Sequence, residues 1–357
     1  MGKVLIAMSG GVDSSVAAYL MKQRGFDCIG VTMKLFANED IGISREHSCC
    51  SLDDVEDARS VAYSLDMPYY VFNFSDRFET DVIDRFIHAY ENGITPNPCI
   101  DCNRYLKFDK LYMRAKELDR DYVVTGHYAR VEKDENGRFL LKKALDDTKD
   151  QSYVLYCLTQ EQLSHTIFPL GEMRKSQARE IAESQGFINA RKADSQDICF
   201  VQNGSYADFI EQYTGKNYPD GDFLDTDGNV IGRHKGVIRY TVGQRKGLGI
   251  SAPEPLYVKA VNPVSNTVTL SYNDGLYSSV VKAGDINLIS VPEIKGEMRV
   301  KAKVRYRHAE QWATVTQNGD TITAVFDEPQ RAVTCGQALV LYDGDTVVGG
   351  GTIIEVE

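Results

Sequence analysis

A chain of 357 residues is long enough for two or three domains with buried cores, and 43% hydrophobic with 25% charged residues is an ordinary globular composition. The formal charge of −11 excludes a protein that coats nucleic acid over its whole surface, so a polyanionic partner would have to meet a local basic face. No apolar run approaches the roughly 20 residues of a membrane-spanning helix, and no membrane partner is expected.

The run Val4-Leu5-Ile6-Ala7-Met8 reads as a short buried strand, and Val16, Ala17, Leu20 and Met21 fall at helical spacing with Gly25 as the stop. Between them lies Ser9-Gly10-Gly11-Val12-Asp13-Ser14-Ser15, a strand-to-helix turn with two glycines, three serines and one acid. Glycines let backbone approach an anion, and a helix N-terminus offers free N–H groups and a positive dipole end. This is chemistry for a phosphate. No lysine lies between Gly10 and Ser15, so the kinase-type phosphate loop is absent, and so is the dinucleotide fingerprint G-x-G-x-x-G. The turn resembles the S-G-G-x-D-S loop of the ATP pyrophosphatase (PP-loop) superfamily, whose members split ATP between the α and β phosphates and adenylate a carbonyl oxygen.

The first ~130 residues alternate strand and helix, which predicts a parallel sheet with helices on both faces. Strands are expected over 28–33, 69–72 and 122–125. Helices are expected from Ser51 with capping-box spacing, over 75–92 and over 103–118. In an open α/β sheet ligands sit beyond the strand C-termini, which groups the 9–15 loop, Met33 and Gly126-His127 around one crevice. A hairpin at Glu135-Asn136-Gly137 and helices over 175–185 and 205–213 follow. The expected domains are a doubly wound parallel sheet over 1–204, a small middle domain over 205–277 and an antiparallel β-barrel over 278–357. Turn signals at Asn318-Gly319-Asp320 and Asp343-Gly344-Asp345 mark the barrel's hairpins.

Eight cysteines and a chain that opens directly on strand and loop predict no secretory leader and a reducing, cytoplasmic compartment. Cys99 and Cys102 lie in Pro96-Asn97-Pro98-Cys99-Ile100-Asp101-Cys102-Asn103-Arg104, with Cys102 expected at or near a helix start. A helix N-terminus and the nearby Arg104 or Lys107 would lower its thiol pKa. Cys199 lies in Asp194-Ser195-Gln196-Asp197-Ile198-Cys199-Phe200. Two reactive cysteines far apart in sequence suit a relay in which one carries sulfur as a persulfide and the other resolves it. A zinc site would need a second ligand pair that is missing. Three thiolates from Cys99, Cys102 and Cys199 could instead hold a [4Fe-4S] cluster, and that alternative stays open. Cys28 and Cys157 read as inert core, and Cys49 and Cys50 are unassigned.

The 9–15 loop, Asn97-Pro98 with Cys102-Asn103, Thr125-Gly126-His127-Tyr128, Lys149-Asp150-Gln151-Ser152-Tyr153, the Cys199 segment and residues 240–249 run through the chain in order. Together they resemble the tRNA-specific 2-thiouridylase (MnmA) family over essentially the whole length. The resemblance implies thiolation of C2 of the wobble uridine in the tRNA anticodon stem-loop. ATP, with Mg2+, would bind through Ala7, Met8, Ser9, Gly10, Gly11, Val12, Asp13, Ser14, Met33 and Gly126. Uridine O2 is adenylated, and sulfur from a persulfide on Cys199, charged by a donor protein, replaces AMP. Cys102 resembles the family's nucleophile and can close a disulfide with Cys199. Contacts to tRNA map onto Asn97, Pro98, Cys99, His127, Lys149, Asp150, Gln151, Arg305, Tyr306, Arg307 and Gln337. Some family members carry aspartate at the Cys99 position. Asp13 is the acid placed to assist the metal.

In Arg299-Val300-Lys301-Ala302-Lys303-Val304-Arg305-Tyr306-Arg307 every odd position is basic, so a strand would line five positive charges along one side for phosphates. Two other readings compete: a PP-loop ligase or amidotransferase acting on a small acid, which needs neither the cysteine pair nor the basic stripe, and a non-catalytic tRNA-binding protein.

Overall fold

The computed structural model describes residues 2–36, 52–194, 198–201 and 205–357. Ser51 of the expected capping box, Cys49-Cys50 and Ser195-Gln196-Asp197 lie outside the described residues. The chain forms two compact units: Met1–Val82 with Pro98–Gln202 and Gly344–Gly349, and Ile83–Asn97 with Asn203–Asp343 and Gly350–Glu357.

The first unit is built on a five-stranded parallel sheet in the order Tyr69–Asn73, Asp27–Lys34, Lys3–Ala7, Tyr122–Val124, Thr166–Ile167. Strand Lys3–Ala7 is central, and Val4, Leu5 and Ile6 are all fully buried. Alternation sends Val4 and Ile6 to a core with Val16, Ala17 and Ala178, and Leu5 to the opposite core with Leu111, Tyr112 and Ala115. Both faces are therefore covered, as a continuous apolar strand requires. Truncating Leu5 to alanine would cost roughly 2–5 kcal/mol. Strand order reverses between Lys3–Ala7 and Tyr122–Val124, so the loops after these two strands flank the switch point.

Helix 103–118 begins earlier than its periodicity predicts. A short helix Pro98–Asp101 runs into a π-helical segment Cys102–Lys110 and then Leu111–Glu117. Pro98 has no N–H to lose and its φ is already helical, so it opens the helix. Cys99 is thus the first-turn thiol, and Cys102 lies one turn further along where the backbone widens. The expected helix 75–92 is a continuous run of Ser75–Phe78, a π-helical Glu79–Ile83 and Asp84–Glu91, and along it the chain passes between units.

In the second unit helix Tyr206–Thr214 is capped reciprocally by Ser205 and Asp208 and stops at Gly215, whose φ is +65°. A four-stranded sheet follows in the order Tyr257–Asn262, Thr267–Ser271, Gly221–Leu224, Val230–His234. Six antiparallel strands then close a barrel: Tyr277–Leu288, Thr321–Arg331, Gln311–Asn318, Met298–Lys303, Ala338–Asp343 and Thr346–Val356, the last pairing with the first. Closure leaves no unpaired edge. The basic stripe is shorter than expected. Its strand is Met298–Lys303, because pairing Ala302 with Gln311 obliges the chain to reverse between them. Arg299, Lys301 and Lys303 share the outer face, while Arg305 and Arg307 lie in the connecting loop.

Candidate active site

Residues 9–15 form the expected strand-to-helix turn, and helix Val12–Gln23 starts at Gly11 with no side-chain cap. Its first-turn N–H groups are therefore left for a ligand. The hydroxyls fold back on the loop. Ser14 Oγ donates to Gly11 O (3.0 Å) and accepts from Ser9 N (3.1 Å), and Ser15 Oγ donates to Gly11 O (3.1 Å). Gly10 has a φ of +75°, and a Cβ there would stand 2.3 Å from the carbonyl oxygen of Asp54. A Cβ on Gly126 would stand 2.8 Å from both Asp13 C and Ser14 N. The two glycines let helix Leu52–Ser64 and the turn after strand Tyr122–Val124 close on the loop.

Below the loop, the buried Asn189 donates through Nδ2 to Gly10 O and Ser15 Oγ, both at 2.9 Å. Lys192 Nζ reaches Asp54 (2.5 Å) and Asp57 (2.7 Å). Neither contact is encoded by a local pattern.

Asp13 is held by two partners from distant parts of the chain. Lys175 Nζ bonds both its oxygens, at 2.8 and 2.7 Å, and Tyr128 Oη donates to Oδ1 at 2.8 Å. Lys175, 8% exposed, also bonds Asp194 at 2.8 Å, and Lys149 and Arg179 reach the same carboxylate at 2.9 and 2.8 Å. Burial alone would raise the Asp194 pKa, but hydrogen bonds and charge from Lys175 and Lys149 hold it at about 2. Burial and the Asp13 charge push the Tyr128 phenol far up, so it stays a donor. Three cations thus face two carboxylates beside the loop, which suits an incoming anion.

The other expected residues divide between the units. Met33 is half-buried near the end of its strand. His127 is enclosed by the rings of Phe108 and Phe168 (5.9 and 5.8 Å), and its Nδ1 shares a 2.6 Å hydrogen bond with Thr125 Oγ1. Burial first, and Lys107 second, hold this imidazole well below its usual pKa, so it is neutral. Asp150 accepts from Ser152 Oγ (2.7 Å) and Ala144 N (3.0 Å), and Gln151 Oε1 accepts from Tyr128 N (3.0 Å). The segment 149–151 is thereby tied to the Tyr128 turn and to Asp194. In the second unit Gln337 Nε2 donates to Thr95 O (3.0 Å) and Pro96 O (3.1 Å), gripping the backbone that leads into Asn97. Arg305 donates to Arg331 O (2.9 Å), and Tyr306 and Arg307 are exposed.

Cys99 is exposed, and Cys102 and Cys199 are half-buried. Cys199 sits in a turn closed by Val201 N to Ile198 O (3.0 Å) and anchored by the buried Phe200, whose ring meets Phe78 at 5.7 Å. Burial pushes Cys28 up to about 11 and Cys157 up to about 12, as befits core thiols. Among the described residues no group of three or more His, Cys, Asp or Glu is disposed to hold a metal ion. Asp13, the acid expected to assist a metal, accepts from Lys175 through both oxygens. Among the described residues, too, no helix is long and apolar enough to cross a membrane.

Residues 2–203 match the family described as tRNA methyl transferase HUP domain, residues 207–272 the tRNA methyl transferase PRC-barrel domain, and residues 278–353 the aminomethyltransferase beta-barrel domain. A tRNA-specific 2-thiouridylase MnmA of Clostridioides difficile (strain 630) is 52% identical over 353 residues, 98% of both chains. That of Lachnoclostridium phytofermentans is 52% identical over 357 residues, covering 99% of this chain and 100% of that one. A Clostridium perfringens protein of the same name is 48% identical over 98% of both chains. The chain belongs to the tRNA-specific 2-thiouridylase MnmA family.

Proposed function

We infer that this protein forms 2-thiouridine in tRNA by ATP-dependent sulfur transfer. The observation that carries the reading is the uncapped helix start behind residues 9–15, with Gly126 packed on its backbone and Lys175 beside it, in the unit that also holds Cys102 and Cys199. The loop's N–H groups and Lys175 bind the ATP phosphates, and the adenine lies toward Met33. Magnesium would come with the ATP phosphates, with Asp13 placed to assist it, and would offset the charge of the departing pyrophosphate. The reaction runs in the cytoplasm.

Uridine O2 attacks the α-phosphorus and pyrophosphate leaves, which makes O2 a leaving group. A persulfide on Cys199, charged by a protein carrying persulfide sulfur, attacks C2 and displaces AMP, leaving a Cys199–S–S–C2 bridge. The Cys102 thiolate then attacks Cys199 Sγ. The bridge's S–S bond breaks, its electron pair stays on the sulfur bound to C2, and 2-thiouridine is released with a Cys102–Cys199 disulfide. An external dithiol reduces that disulfide for the next cycle. The target is the wobble uridine, flipped from the anticodon loop because a stacked base is out of reach of the thiols. Asn97, Pro98 and Cys99 meet that base, and Lys149, Asp150, Gln151, His127, Arg305, Tyr306, Arg307 and Gln337 support the tRNA.

Incubation of tRNA with ATP and a persulfide donor, followed by nucleoside mass analysis, tests the reading. Wild type yields 2-thiouridine, pyrophosphate and AMP in equal amounts, Cys199→Ala yields pyrophosphate without 2-thiouridine, and Asp13→Ala yields neither. Full activity of Cys199→Ala overturns the persulfide route. ATP turnover that depends on a small acid without tRNA overturns thiolation in favour of a ligase.

A further inference from the structure

The chain has a single tryptophan, and it is not in a core. Trp312, on strand Gln311–Asn318, is 48% exposed on the outer face of the C-terminal barrel. It lies directly opposite Lys301 on the neighbouring strand, with Arg299 diagonal to it opposite Thr314. Arg299 Cζ stands 5.2 Å from the indole centroid and Lys301 Nζ 5.4 Å. Next along the face, Lys303 Nζ stands 5.7 Å from the Tyr342 ring. The alternate residues Val300 and Ala302 are each 1% exposed, so the strand separates a fully apolar inner side from a fully cationic outer one.

Charge decides what this face can accept. Arg299 is neutralised by Asp327, with Nη1 donating to Oδ1 at 2.7 Å. Among the described residues neither Lys301 nor Lys303 has an ion-pair partner. A chain of net charge −11 thus keeps one uncompensated ammonium group, Lys301, against its only indole and a second, Lys303, next along the same face of the strand. Two cations touching the ring already fix its rotamer, so little side-chain freedom remains to be lost when something stacks on it. A flat π surface between cations spaced along a strand is how nucleic-acid-binding proteins hold an unpaired base and its adjoining phosphates.

We propose that Trp312 is a stacking platform for an unpaired base of the tRNA substrate, with Lys301 and Lys303 holding the phosphates next to it. The proposal rests on the tRNA reading above and lies outside every residue assigned to that reading. Because there is one indole, the intrinsic fluorescence of the full-length protein reports on this site alone.

The test is a titration of the full chain with tRNA, following indole emission and, in parallel, the anisotropy of end-labelled tRNA. A fully paired RNA duplex of similar length serves as control. Quenching is expected with tRNA at the midpoint given by anisotropy, and not with duplex. Trp312→Ala weakens tRNA binding roughly tenfold or more, Trp312→Phe recovers part of it, and Lys301→Ala lowers the salt slope by about one. Thiolation at saturating tRNA keeps its kcat in Trp312→Ala while KM rises. Binding by anisotropy with unchanged indole emission, or unchanged affinity of Trp312→Ala, overturns the platform and leaves thiolation standing. Absence of 2-thiouridine from the wild-type protein, by contrast, overturns the thiolation reading whatever the indole does.

Discussion

Lys175 and Asp13 stand 162 residues apart in the chain and meet through two hydrogen bonds, at 2.8 and 2.7 Å. The pair supplies what residues 9–15 lack, a cation beside the turn proposed to hold the ATP phosphates. The ammonium is nearly buried and balanced by the loop's own acid, so it is already in place before any nucleotide arrives. In the proposed site an incoming triphosphate would compete with Asp13 for a donor that needs no reorganisation.

Lys175→Met should therefore abolish AMP release at least a hundredfold. It should also cost about 3 kcal/mol in denaturant unfolding, because a buried pair is broken on one side. Asp13→Asn together with Lys175→Met should regain part of that stability and none of the activity. Recovery of AMP release in the double variant would show that the lysine serves the fold alone.

Acid stability should report Asp194. Its carboxyl titrates near 2 in the folded protein against 3.8 as its ordinary value. A depressed folded pKa stabilises above the unfolded value, and that contribution is lost as pH falls from about 4 toward 2. The shift corresponds to at most about 2 kcal/mol. Urea unfolding between pH 5 and 2.5 should show that slope in wild type and a shallower one in Asp194→Asn.

Gly10→Ala places a methyl 2.3 Å from a backbone oxygen at a φ of +75°, and both faults act together. The left-handed backbone alone costs roughly 1–2 kcal/mol. The clash falls on helix backbone that has no flexible end to move, so a loss of about 3 kcal/mol or more is expected in thermal unfolding. Gly126→Ala keeps an ordinary φ and pushes only on Asp13 and Ser14. Its effect should appear first as weaker ATP binding by calorimetry, with a smaller fall in Tm.

Alkylation should sort the cysteines by environment. With pKa values of about 11 and 12, Cys28 and Cys157 hold about one thiolate in a thousand and one in ten thousand at pH 8. Brief iodoacetamide treatment followed by peptide mass mapping should label the exposed Cys99 and leave these two unmodified. Early labelling of Cys157 would mean that the packing of the Pro98–Asp101 helix on it opens in solution.

Sequence alone determined what local patterns encode. Val4, Leu5 and Ile6 announce a strand covered on both faces, two glycines with three serines and an acid announce a strand-to-helix turn, and the glycine turns at 319 and 344 announce the barrel's hairpins. Each depends on residues a few positions apart, where spacing and conformational preference act directly. The length of the basic strand was not decided that way. Its alternation continues to Arg307, but pairing with Gln311–Asn318 reverses the chain after Lys303. Nor was the helix start, where Pro98 made Cys99 rather than Cys102 the first-turn thiol. Only the tertiary structure brought Lys175, Asp194, Asn189 and Lys192 to the loop, since no period links residue 13 to residue 175. A charge becomes part of a phosphate site only when folding removes water from around it and sets its partner within hydrogen-bond reach.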